Sequence, residues 1–117
     1  MSLTFVDTNK LPREKTSDSG EFTEILNNKL CGAKNVVGTL HWLKSGERFE
    51  ARSDAKTHQL IYLMEGEGTI KLETDPKEHS VKKGAGVYLG PSEAATIAQK
   101  GSAPLKLFQL AVPKLSS

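Results

Sequence analysis

Arg52, Asp54 and Gln59 put a guanidinium, a carboxylate and a side-chain amide into one short stretch of chain. Turned toward a common point, they offer a fork of donors, a negative acceptor, and a group that both donates and accepts. That set suits a polar anionic or sugar-like small molecule. The alternative is that Arg52 and Asp54 belong to a charged, solvated loop over residues 47–57. His41 is the other residue with chemistry to offer. It shares parity with Val37, Thr39 and Leu43, so in a strand all four face one side. A histidine there either binds a ligand and moves protons or is a satisfied core or interface histidine beside Trp42. His58 reads as a strand-end, solvent-facing residue, and His79, set among charged residues, reads as surface. The single cysteine, Cys31, permits no intrachain disulfide and reads as a small half-buried apolar residue.

The elements that must position these residues are strands. Val36–Leu43 is rich in β-branched and aromatic residues and is broken by Ser45-Gly46. Further short runs follow at 58–64, 69–73, 80–81, 86–89, 94–98 and 105–112. The gaps between them hold Asp75-Pro76, Gly84, Gly90-Pro91-Ser92 and Gly101-Ser102, which are turn signals. This spacing of short strands and turns predicts an all-β sandwich or barrel. The apolar spacing of Glu21–Leu30 fits partly a helix and partly a strand. Residues 1–35 read as an N-terminal arm and edge segment of the same domain, and 36–117 as the barrel itself. At 117 residues the chain suffices for one domain with a real core.

Two stretches resemble the signature motifs of the cupin family: Tyr62-Leu63-Met64-Glu65-Gly66-Glu67-Gly68, preceded by Gly46, and Gly84 through Ser92. The resemblance covers about residues 36–112 and implies a double-stranded β-helix, or jelly-roll barrel. Family members hold a metal through histidines and a glutamate. Counting back from Gly66 puts Gln59 in the glutamate place. Counting forward from Gly46 puts either Arg52 and Asp54, or Ser53 and Ala55, in the first two histidine places, according to the spacer. In the second motif Gly90-Pro91-Ser92 takes the Pro-x-Gly place, Ala95 the histidine place and Gln99 the asparagine place. A transition metal wants several imidazoles and a carboxylate on one point, so the alignment predicts no metal site and no cofactor. An unusual site built from His41 and His58 is the exception to test.

The expected ligand-binding residues are therefore Gln59, Arg52, Asp54 and His41, with Ile61 and Leu63 flooring a pocket at the barrel mouth. Tyr88 either packs or turns its hydroxyl into the lumen. The leading reading is a small-molecule binding or sensing barrel without an intact metal site. One alternative is a metal-independent enzyme of the sugar isomerase or epimerase type, using His41 or a tyrosine with Asp54. Another is a structural protein whose barrel is filled by Ile61, Leu63, Leu89 and Ile97. Lys plus Arg number 16 against 14 Asp plus Glu, a formal charge of +2. These charges are interspersed, so neither nucleic acid nor a membrane is an expected partner. The expected partners are a polar small molecule and a second copy of the chain, reached through the N-terminal arm. The lone cysteine and the lack of a basic-then-apolar opening suggest the cytoplasm.

Overall fold

The computed structural model describes residues 6–16, 20–32, 35–75 and 77–113, with backbone only at 16, 28 and 31. The reading of Cys31 as half-buried thus lies outside the described side chains. Ten strands form two antiparallel sheets. They are β1 (Glu14–Thr16), β2 (Gly20–Leu26), β3 (Val37–Leu43), β4 (Arg48–Arg52), β5 (His58–Glu65), β6 (Glu67–Leu72), β7 (Glu78–Lys82), β8 (Gly86–Leu89), β9 (Ala94–Lys100) and β10 (Leu105–Val112). The larger sheet runs β1-β2-β3-β10-β5-β8 and the smaller β4-β9-β6-β7. Consecutive strands thus alternate between layers along much of the chain, as in a double-stranded β-helix.

The ambiguous stretch after Gly20 resolves into both of its readings. Phe22 through Leu26 pair with β3 as strand, and a one-turn helix, α1 (Asn28–Cys31), follows. Asn27 starts that turn, its Oδ1 accepting the Leu30 N–H at 2.8 Å. The charged stretch after Gly46 is not all loop, because β4 pairs with β9 from Arg48 to Arg52. β1 pairs with β2 of the same chain, so the described part of the N-terminal arm extends the chain's own sheet.

Strand alternation builds the core. On the inner face of the larger sheet one row holds His41, Leu107 and Leu63, and the next Thr39, Gln109, Ile61 and Val87. A third row holds Val37, Ala111, Gln59 and Leu89. Phe49, Ile97 and Ile70 face them from the smaller sheet. Ile61, Leu63, Leu89 and Ile97 are all fully buried in one apolar cluster, with Leu43, Leu105 and Leu107. Two glycines let the layers close. Gly66 turns β5 into β6 at φ 84°, and a Cβ there would lie 2.5 Å from the Pro104 carbonyl oxygen. A Cβ on Gly68 would meet the Ala98 oxygen at 2.3 Å, nearer than any side chain tolerates. No helix among the described residues is long and apolar enough to cross a membrane.

Candidate functional site

A polar seam crosses the otherwise apolar interior from the His41 row to the Gln59 row. In it, side chains from β3, β10, β5 and the residue just past β4 make a single chain of hydrogen bonds. His41 Nε2 lies 2.9 Å from Gln109 Oε1. Gln109 Nε2 donates to Gln59 Oε1 at 2.6 Å, and Gln59 Nε2 donates to Ser53 Oγ at 3.1 Å. Gln59 is 1% exposed, Ser53 5% and His41 6%. Because Gln109 turns its oxygen to the ring, His41 Nε2 is the donor and Nδ1 keeps the free lone pair.

His41 packs against Phe49, with ring centroids 4.1 Å apart, and against Phe22 at 6.0 Å. Burial pushes its pKa down to about 4, and the hydrogen bond to Gln109 opposes that only partly. The relay is therefore neutral from end to end at physiological pH. Among the described residues Nδ1 has no hydrogen-bond partner. No fully sealed side-chain nitrogen or oxygen among the described residues goes unpaired, so Nδ1 keeps a sliver of accessible surface on a ring that is 6% exposed. Phe22 also lines a groove of about 350 Å³ with Leu11, Pro12, Glu14, Thr23 and Glu24. Phe22 thus borders both that groove and the His41 ring, while His41 itself does not line the groove.

Of the residues expected from the sequence, His41, Gln59, Ile61 and Leu63 come together in the interior. Arg52 does not. Alternation along β4 turns Ala51 inward and leaves Arg52 on the outer face. There Nε and Nη2 donate to Glu50 Oε1 at 3.3 and 3.2 Å, and Nη2 also bonds Glu73. The hydrogen bonds to Glu73 and then Glu50 raise the guanidinium pKa above its ordinary value. Asp54 closes the loop after β4. Its Oδ1 accepts from the N–H groups of Lys56 and Thr57, both at 2.9 Å, and from Thr57 Oγ1 at 2.8 Å. Tyr88 stands on the outer face of β8, 61% exposed, with its hydroxyl 2.6 Å from His58 Nδ1. The Arg52, Asp54 and Gln59 trio is therefore not a constellation: β4 and its loop point the three in different directions.

At the first histidine place of the first motif the alternation favours Ser53, which faces inward, over Arg52; at the second, Ala55 is exposed and Asp54 half-buried. With the spacer that Ser53 favours, the ligand places of the resembling family hold Ser53, Ala55, Gln59 and Ala95. A hydroxyl, an amide and two methyl groups do not fit a transition metal. No cluster of three or more His, Cys, Asp or Glu suited to a metal ion occurs among the described residues. Gln109 was not among the residues expected from the sequence. Its signal was there: it shares parity with the inward-facing Leu105, Leu107 and Ala111, and an amide among inward apolar residues marks a buried polar group.

No family model matches the sequence, and no curated protein does. Solved structures do match. A predicted oxalate decarboxylase from Thermotoga maritima superposes with a TM-score of 0.80 at 17% identity, over 94% of this chain and 99% of that one. The fold is the cupin fold. KdgF from Halomonas sp. gives a TM-score of 0.77 at 10% identity, over 96% of both chains. The cupin domain of Schizosaccharomyces pombe Cnp3 gives 0.73 at 8% identity, over 92% of this chain and 72% of that one. These cupin neighbours share the two-sheet architecture, and at such identities the likeness extends to the fold and not to the chemistry.

Proposed function

We propose that this cupin barrel binds an uncharged, polar small molecule at the His41 end of its buried relay. The observation that carries the reading is the relay itself. Three of its four polar side chains are buried and Gln109 is half-buried; taking such groups from water costs free energy that hydrogen bonding among them only recovers, and apolar residues would fill a purely structural barrel at less cost. The chain nonetheless keeps a histidine, two glutamines and a serine there. The relay fixes the imidazole tautomer, so Nδ1 is a preorganised acceptor for a ligand hydroxyl or amide N–H. A ligand would reach Nδ1 past Phe22, which borders both the His41 ring and a described groove.

The ligand is uncharged because the relay carries no charge and Arg52 is committed to carboxylates outside. A charged group brought there would lose its water without gaining a counterion. This replaces the anionic expectation. The acid–base alternative draws less support: a group with a pKa of about 4 is a weak base at neutral pH, and no carboxylate takes part in the relay. Thermal-shift and calorimetric titration of uncharged polyols, sugars and amides, each beside its phosphorylated or carboxylated counterpart, test the reading. Uncharged members should bind, and His41→Phe should abolish binding while the protein stays folded. Binding confined to the charged members, or unchanged by His41→Phe, overturns it.

A further inference from the structure

Tyr88 and His58 make a contact that the barrel interior and its relay do not use. The Tyr88 hydroxyl donates to His58 Nδ1 at 2.6 Å, and the two rings stack with centroids 5.9 Å apart. That hydrogen bond is at the short end of the usual range for a nitrogen and an oxygen. With the phenol as donor, Nδ1 is the acceptor and Nε2 carries the ring proton. Both side chains are exposed on the outer face of the larger sheet, at its β8 edge. Gly90 puts no side chain beside the phenol oxygen, from which a Cβ there would lie 3.5 Å. The chain's other tyrosine, Tyr62, is exposed on the same face, and its hydroxyl has no hydrogen-bond partner among the described residues.

We propose that Tyr88 is a site of one-electron oxidation with His58 as its proton acceptor, and that the reagents it meets are small oxidising radicals of the nitrogen dioxide class. Losing an electron turns a phenol into a strong acid, so oxidation without a base passes through a high-energy radical cation. A base already in contact takes the proton in the same step. Here one nitrogen dioxide takes the electron and leaves as nitrite, while the hydroxyl proton moves to Nδ1 and makes an imidazolium. The imidazolium gives up its Nε2 proton to water. A second nitrogen dioxide then joins the tyrosyl radical at the ring carbon beside the oxygen. That carbon loses its proton to water, and the product is 3-nitrotyrosine. Tyr62, with no base in contact, must release its proton to water directly, which is a weaker acceptor than imidazole. Exposure alone separates the two tyrosines little: 61% for Tyr88 against 44% for Tyr62, a ratio of 1.4.

Nitrogen dioxide generated by pulse radiolysis in a solution of the full chain, followed by peptide mapping in a mass spectrometer, tests the proposal. Wild-type protein should carry severalfold more 3-nitrotyrosine at Tyr88 than at Tyr62, well beyond the ratio of their exposures. His58→Phe keeps a ring against Tyr88 but removes the base, and should bring the ratio down to that of the exposures with an unchanged circular dichroism spectrum. His58→Ala reads the same loss should phenylalanine disturb β5, and free imidazole added to it should restore part of the preference. His79→Ala, which removes an exposed histidine from β7, should leave the wild-type ratio as it is. Nitration that follows exposure in the wild type overturns the proposal. So does a Tyr88 preference that survives both His58 substitutions, or one that imidazole fails to restore.

Discussion

Lowering the pH from 8 to 5 should destabilise the protein through His41, and His41→Gln should remove that part of the loss. In the unfolded chain residue 41 takes up a proton near its ordinary 6.5, whereas in the folded chain burial delays this to about 4. Between those values the unfolded state binds the extra proton, so stability falls as pH drops through 6.5 and the loss levels off below about 4. At about 1.4 kcal/mol per tenfold, the contribution is about 2 kcal/mol by pH 5 and about 3 kcal/mol in full. The ring's contacts, Phe22, Phe49 and Gln109, carry no charge that would offset it. Urea unfolding of wild type and His41→Gln at pH 8, 6.5 and 5 reads the difference between the two slopes, which cancels the background from surface carboxylates. Glutamine keeps a donor for Gln109, so the relay survives while the titration goes. Parallel pH slopes for the two proteins over this range would refute the argument, as would an imidazole resonance of His41 titrating near 6.5 in the folded protein.

Two further substitutions probe the relay and the core. Gln109→Leu alone should cost about 1–3 kcal/mol because it strands Gln59 Oε1 and the His41 N–H. Adding His41→Leu and Gln59→Leu should recover most of that loss, since apolar groups then replace the network together; a triple variant less stable than the single one in chemical denaturation counts against this. Ile97→Ala, at a fully buried position facing the larger sheet, should cost about 2–5 kcal/mol, and a midpoint shift within error would mean that the interior is not packed as described.

The barrel was legible because strand periodicity and turn residues act locally. Alternation along His58–Glu65 alone puts Gln59, Ile61 and Leu63 on one face, and the folded chain keeps that face inward. What decided the site was finer. A shift of one residue in β4 exchanges Arg52 for Ser53 at the inner face, and motif counting left both spacers open. The decision came from pairing with β9, which sets Ala51 opposite Ala95, a long-range contact no local window contains. Gln109 belongs to a strand that is easy to read, but its value depends on meeting Gln59 and His41 from β5 and β3, and that meeting is a property of sheet order. The stretch after Gly20 mixes two periods because it holds two elements, and only the Asn27 cap divides them.

Tyr88 and Arg52 show why residue type misleads when the face is unknown. Both have chemistry that a binding site uses, and both lie outside the barrel. Leu89 is fully buried, so its neighbour Tyr88 must face out, where its hydroxyl serves His58 and its ring adds to an apolar surface. Arg52 has Ala51 and Ser53 as inward neighbours and spends its charge on Glu50 and Glu73. The interior is left with neutral polar groups, and the outer face of the larger sheet with uncharged apolar ones. β5 carries Gln59 inward and Leu60 outward, so Gln59→Ala should weaken ligand binding in calorimetric titration while Leu60→Ser, one residue away, should leave it unchanged.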